Sequence, residues 1–133
     1  MLTVIARWED LQMPEQLEWR MWRQLRGFGI DRFVFTPIAP ELSQVAIEQY
    51  ETMEEALAAV PEGNRVFLEP TGYNTMYDLP PRDEDVVFIL GNTKFSNIEY
   101  AQVNETFRIT ADNKINMYPT SAAAIVFAYW HGQ

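Results

Sequence analysis

The chain contains no cysteine and a single histidine, His131, among its 133 residues. The first absence removes disulfides, thiolate nucleophiles and every cysteine-based zinc or iron–sulfur site. The second leaves nothing to build Ser–His–Asp chemistry or a multi-histidine metal centre, so no metal is expected. Long hydrophobic runs are missing too. The longest, residues 122–130, has nine residues, against the roughly 20 that a helical membrane span needs. Arg7, Glu9 and Asp10 interrupt the N-terminal apolar run before a signal-peptide core could form. Positive charge is also scarce: ten Lys and Arg stand against nineteen Asp and Glu, a formal net charge of −9. On the scale of the whole molecule that excess repels nucleic-acid phosphates. The expectation is a soluble, cytoplasmic, single domain over residues 1–133, with no membrane partner.

What charge there is falls unevenly. Arg20, Arg23, Arg26 and Arg32 lie within thirteen positions, and no Lys or Arg follows until Arg65. Glu41, Glu48, Glu51, Glu54 and Glu55 fill that gap. A local basic site therefore stays open despite the net charge.

Strand and helix signals alternate along the chain. Residues 2–6 read as a buried first strand. Pro14 suits a helix start, and Gly27 and Gly29 suit its end. Leu17, Met21, Leu25 and Phe28 are the expected core stripe of that helix. Arg20, Arg23 and Arg26 share another side, with Trp19 and Trp22 beside them, rings that could stack a base but are expected to anchor a subunit interface. Residues 32–37 alternate and are aromatic-rich, a second strand. Residues 44–50 are ambiguous, helical after Pro40 and then a short strand over 46–49. Thr52 with Glu55 forms a capping box for a helix reaching Val60. Strands are expected at 65–69, 85–90 and 105–109, the second apolar throughout as in a strand buried on both faces. Ser96 with Glu99 caps a short helix between the last two. Asp83, Glu84 and Asp85 form a solvated loop. Residues 120–130 form a helix apolar almost all round, an expected subunit contact. The pattern argues an α/β domain with a mainly parallel sheet flanked by helices.

No P-loop or G-x-G-x-x-G is present. Asp78 and Glu69 flank a strand end, where α/β domains tend to place their sites. Three loops after strand ends are rich in Gly, Asn, Thr and Pro: residues 70–74, 91–93 and 110–119. Small residues there permit close backbone approach to a ligand, or simply make turns.

The stretch VVFILGNTKFSN…ETFRITADNKINMYPTSAAAIVFAYW resembles the C-terminal half of the SpoU-type branch of the SPOUT methyltransferases. That branch has an apolar strand ending Gly-Asn-Glu, a later strand ending Ile-Pro, and a Ser-Leu-Asn loop entering an Ala-rich helix. The counterparts here are Gly91-Asn92-Thr93, Ile109-Thr110, and Asn116-Met117-Tyr118 before Ala122-Ala123-Ala124-Ile125. Upstream, Arg23 stands six residues before Gly29, as the family's Arg stands before the Gly ending its first helix. The segment VFLEPTGYNTMYDLP resembles the family's strand and loop before the Gly-Asn motif.

The resemblance implies a trefoil-knotted α/β fold at the C-terminal half and an obligate homodimer. The apolar face of residues 122–130 and the Trp19/Trp22 pair put the expected contact on the first and last helices. It implies S-adenosylmethionine as cofactor, held by Leu68, Glu69, Pro70, Gly72, Leu90, Gly91, Asn92, Ile109, Ile115, Met117 and Thr120. Most of that recognition would be by main-chain groups, with Leu90, Ile109, Ile115 and Met117 as apolar walls. The activity implied is methyl transfer to a ribose 2′-hydroxyl of tRNA or rRNA, with Arg23 and Asn116 as catalytic residues. Arg20, Arg23 and Arg26 would contact the RNA. A guanidinium keeps its proton, so Arg23 would hold phosphate and stabilise a developing alkoxide. Thr93 stands where the family has Glu, Asn116 where it has Ser, and Leu17 where it has Asn. With the net charge, those departures favour an alternative: a SPOUT-like dimer that binds S-adenosylmethionine or a related nucleotide without methylating RNA.

Overall fold

In the computed structural model, residues 1–10, 17–42, 47–109 and 117–132 are described. Six strands, β1 (Leu2–Arg7), β2 (Arg32–Thr36), β3 (Glu48–Gln49), β4 (Asn64–Leu68), β5 (Val86–Leu90) and β6 (Thr106–Phe107), form one sheet. Its order is β3-β2-β1-β5-β4-β6, and every pairing is parallel. Helices α1 (Leu17–Gln24) and α3 (Pro119–His131) cover one face, and α2 (Met53–Ala59) covers the other. Because all strands run one way, the loops after them gather along one edge of the sheet.

Alternation along the strands separates the two cores. Val4, Ala6, Phe33, Phe35, Val66, Leu68, Phe88 and Leu90 point to the α1/α3 face. Ile5, Val34, Phe67, Val87 and Ile89 point to the α2 face. β5 is buried at all five positions, as an apolar run flanked by paired strands on both sides requires. Thr52 caps α2, its hydroxyl accepting from the Glu55 amide at 3.2 Å.

The first helix is turned relative to its expected stripe. Trp19 and Trp22 are 5% and 0% exposed, whereas Leu17 is 37% exposed. Magnitude decides the rotation. A buried indole removes about 150–250 Å² from water, roughly 4–6 kcal/mol, against about 1.5–3 kcal/mol for a Leu or Met. The two tryptophans are therefore core residues, edge-on to Phe33 and Phe35 with ring centroids 5.6–6.0 Å apart, and not anchors for a second subunit. A 3-10 turn, Leu25–Phe28, continues α1. Gly29 closes it with φ of 87°, a left-handed conformation that suits glycine.

Other expectations need adjusting. β6 spans only Thr106–Phe107; at Arg108 the chain bonds the 70–74 loop, its amide donating to Asn74 O and its guanidinium to the carbonyls of Gly72 and Tyr73. The short helix after β5 is a 3-10 turn, Ile98–Tyr100, without a side-chain N-cap bond. Ser96 instead gives its hydroxyl to Glu69 and accepts from the Ile98 amide. α3 is not an all-round spare face: Ala122, Ala123, Val126, Phe127 and Trp130 are buried within the chain. Pro14, residues 44–46 and the 110–116 part of the third loop lie outside the described residues. Among the described residues, no helix is long and apolar enough to cross a membrane.

Candidate functional site

The carboxyl ends of β4, β5 and β6 enclose a cavity of about 250 Å³. Its walls include Leu68, Leu90, Phe107, Ile109, Met117 and Ala122, with Glu69, Asn92, Thr93, Lys94 and Ser96 as polar members. Two glycines shape it. A Cβ on Gly91 would sit 2.3 Å from the Phe95 carbonyl oxygen, so the turn after β5 closes only over glycine. A Cβ on Gly72 would sit 2.3 Å from the Phe107 carbonyl carbon and 2.6 Å from the Arg108 nitrogen. There the 70–74 loop lies directly on β6, held by Asn74 N–H to Thr106 O at 2.9 Å and Arg108 N–H to Asn74 O at 2.8 Å.

The 91–97 loop is wired on three sides. Asn92 Oδ1 accepts from the Lys94 and Phe95 amides at 3.0 and 2.8 Å, and its Nδ2 donates to Trp8 O at 3.1 Å. Asn92 thus spends its side chain on the loop itself. Thr93 donates through its amide, at 2.9 Å, and through its hydroxyl to the Glu9 carboxylate. Glu9 N–H in turn donates to the buried Glu18 carboxylate at 2.8 Å. Arg7 Nε donates to Asn97 Oδ1 at 2.6 Å. At the base of the cavity Glu69, only 6% exposed, accepts from Ser96 Oγ at 2.7 Å and from the Asn97 amide at 3.0 Å. Two donors satisfy a carboxylate that burial would otherwise penalise by several kcal/mol, about the scale for an unpaired ion.

Of the residues expected to hold a cofactor, Leu68, Glu69, Pro70, Leu90, Gly91, Asn92, Ile109 and Met117 line this one cavity. Gly72 does not line it and acts beneath it, in the contact with β6. Thr120 is half-buried in the first turn of α3 and does not line it either. Ile115 and Asn116 lie outside the described residues. Arg20 and Arg23 are exposed on α1 and Arg26 on the 3-10 turn that continues it, and Arg23 is not among the lining residues. Arg26 is partly occupied, its guanidinium carbon 5.5 Å from the Trp19 ring and 5.8 Å from the Phe33 ring. Asp78 caps its own 3-10 turn, accepting from the Thr75 amide, and takes no part.

Sequence reasoning missed Lys94, Phe95, Ser96, Phe107, Pro119 and Ala122 as lining residues. It also missed the supports Arg7, Glu9 and Asn97. Gly91-Asn92 at a strand end, where an Asn side chain can accept from the amides two and three residues on, is the available signal for the turn. Among the described residues, no three acidic or histidine side chains gather as a metal-binding group.

No family model matches the sequence, and no curated protein matches it. Solved structures do. A protein assigned as an RNA methyltransferase, from Bacillus anthracis, is 16% identical with a TM-score of 0.72, covering 98% of this chain and 92% of its own. A structure concerned with the 2-OH methylation of C/U34 on tRNA is also 16% identical, with a TM-score of 0.73 and coverage of 100% and 95%. A methylase-family protein from Haemophilus influenzae Rd KW20 is 9% identical, with a TM-score of 0.63 and coverage of 98% and 65%. What the chain shares with them is the fold, an α/β domain with an all-parallel six-stranded sheet flanked by helices.

Proposed function

We propose that this chain is an S-adenosylmethionine-dependent RNA methyltransferase acting on a ribose 2′-hydroxyl of tRNA or rRNA. The observation that carries the reading is the convergence of eight expected cofactor residues on one cavity at the carboxyl ends of three parallel strands. The residues suit the cofactor. Apolar walls from Leu90, Ile109 and Met117 would pack an adenine, and strand-end main-chain groups would hydrogen-bond its edge. The buried Glu69 carboxylate favours a ligand that brings hydrogen-bond donors or positive charge. When bound, the cofactor supplies an electrophilic methyl group. Arg23 would hold the RNA phosphate and stabilise charge developing on the acceptor oxygen. The C-terminal trefoil knot belongs to this reading.

A homodimer belongs to it as well. With Trp19 and Trp22 in the core, its apolar contact is the outward side of α3, where Ser121, Ile125 and Ala128 are exposed beside exposed Tyr118. Sedimentation equilibrium is expected to give twice 15.5 kDa. A single chain's mass at micromolar concentration removes the dimer from the proposal.

One observation favours the non-methylating alternative. Thr93, which stands where the family has Glu, commits both its amide and its hydroxyl to Glu9. Calorimetry with S-adenosylmethionine, repeated with bulk tRNA and followed by methyl-transfer assay, separates the two. Cofactor binding without RNA binding or transfer establishes the alternative; transfer to a 2′-hydroxyl establishes the enzyme.

A further inference from the structure

Phe95 is a large apolar ring that folding leaves 60% exposed, on the rim of the cavity. Nothing about the turn itself demands an aromatic there, since the turn is closed by the Asn92 side chain and the Phe95 main chain. The backbone that carries the ring is nevertheless fixed, and a cation lies against the ring itself. Its amide donates to Asn92 at 2.8 Å, its carbonyl accepts from the Asn92 amide at 3.0 Å, and the Arg7 guanidinium lies 5.7 Å from its centroid. Arg7 is itself fixed by Asn97, whose amide is fixed by the buried Glu69. Next to the ring, Lys94 also lines the cavity mouth. A chain with only ten basic residues and a net charge of −9 sets Arg7 against this exposed ring and Lys94 next to it in sequence, at the same cavity.

We infer that Phe95 is a stacking platform for a base of the RNA strand entering the site, with Arg7 behind the ring and Lys94 beside it for phosphate. This rests on the RNA methyltransferase reading. A preordered aromatic backed by a guanidinium is what sequence-tolerant binding of an unstacked base uses, and flanking cations supply the attraction to phosphate. The ring is 60% exposed and lines the cavity proposed to hold the methyl donor, so a base stacked on it would lie beside that donor. The acceptor strand then approaches over the 91–97 loop as well as past the α1 arginines.

The test uses the full chain with bulk tRNA and S-adenosylmethionine as separate probes. Phe95→Ala should weaken tRNA binding at least tenfold, with a loss for S-adenosylmethionine at least fivefold smaller. Phe95→Trp should restore tRNA binding. Its fluorescence, taken as the difference from the unsubstituted chain, should be quenched on tRNA addition, because stacking on a base quenches indole. tRNA affinity within threefold in Phe95→Ala, or binding by Phe95→Trp without quenching, overturns the platform while leaving the RNA methyltransferase reading intact. Equal losses for both probes make Phe95 a cavity wall only. A changed sedimentation mass in Phe95→Ala makes the ring a protein contact, which also overturns the inference. If the unsubstituted chain binds S-adenosylmethionine but no tRNA, the platform falls together with the RNA acceptor.

Discussion

The two faces of the sheet are built from different materials. On the α1/α3 face the core holds Trp8, Trp19, Trp22, Phe33, Phe35, Phe88, Phe107, Phe127 and Trp130. On the α2 face, among the described residues, Phe67 is the sole buried ring, packed with Ile5, Val34, Met53, Ala56, Leu57, Val60, Val87 and Ile89. Each helix of the first face docks on a ring from a strand. α1 sets Trp22 against Phe35, and α3 sets Phe127 and Trp130 edge-on to Phe88 at 4.8 and 5.2 Å. Rings have few rotatable bonds and preferred mutual angles, so they fix helices more sharply than branched aliphatics do. The aromatic face also carries the cavity and the arginine stripe. The comparison teaches that one face is organised to hold a site in place and the other to close the core.

The largest effect expected is on the first face. Gly72→Val would drive a side chain into the main chain of Phe107 and Arg108, contacts that cannot yield without parting the loop from β6. A loss above about 4 kcal/mol in urea unfolding is expected, with ligand binding lost alongside. Gly91→Val strikes the Phe95 carbonyl inside a surface loop and leaves the strands alone. It should cost less stability, yet reduce S-adenosylmethionine affinity at least a hundredfold by calorimetry. An affinity within threefold would put the ligand elsewhere.

The aliphatic face should answer in the opposite way. Met53 is buried at the start of α2, away from the cavity walls. Met53→Ala is expected to cost about 2–5 kcal/mol of stability while ligand affinity stays within twofold. A larger change in affinity would mean that the faces are coupled and that the division of labour is wrong.

Arg23→Ala separates chemistry from structure on the aromatic face. The side chain is exposed, so unfolding should shift by less than about 0.5 kcal/mol. Turnover should fall at least a hundredfold, about 2.7 kcal/mol of transition-state stabilisation. Cofactor affinity should hold, because Arg23 is not in the cavity wall. Lys at this position keeps the charge without the planar fork and should rescue poorly. Equal, small effects from Arg20, Arg23 and Arg26 substitutions would make the stripe a solvated face and favour the non-methylating alternative.

Much of this arrangement was legible in the residues, and the failures share a cause. Strands β1, β2, β4 and β5 announce themselves through apolar runs or alternation, and the cavity through Gly and Asn at strand ends. Local patterns carry that information. The supports are long-range: Thr93 meets Glu9 across 84 positions and Arg7 meets Asn97 across 90. No spacing rule pairs them. The α1 stripe was misread because helical periodicity alone cannot choose between neighbouring faces, and here the burial of two indoles chose. β6 is shorter than the 105–109 run suggests, and the residue after it bonds a loop 35 positions away, a contact that no local pattern announces.

The smallest effect expected lies where the site's own loop reaches round to the aliphatic face. Tyr100, at the end of the 3-10 turn that follows the 91–97 loop, donates its hydroxyl to Glu54 of α2 at 2.7 Å. That hydrogen bond is the main reason the Glu54 carboxyl sits below the ordinary carboxylate range, and it raises the Tyr100 phenol in turn. The signs are opposite. Glu54, depressed on folding, contributes above the unfolded carboxylate pKa and loses its contribution as pH falls through the folded value. Tyr100, raised on folding, contributes below the ordinary phenol pKa and loses its contribution as pH rises through the folded one. In Tyr100→Phe the Glu54 carboxyl should titrate closer to the ordinary range, read by carbon-detected NMR. Stability at neutral pH should scarcely change, since both groups face solvent and their attraction is screened. Affinity in the cavity should not move at all, because the 91–97 loop is already held by Glu9, Glu69, Arg7 and the carbonyl of Trp8. If affinity falls with Tyr100→Phe, the aliphatic face helps to hold the loop, and the boundary between a face that positions and a face that closes must be redrawn through Tyr100.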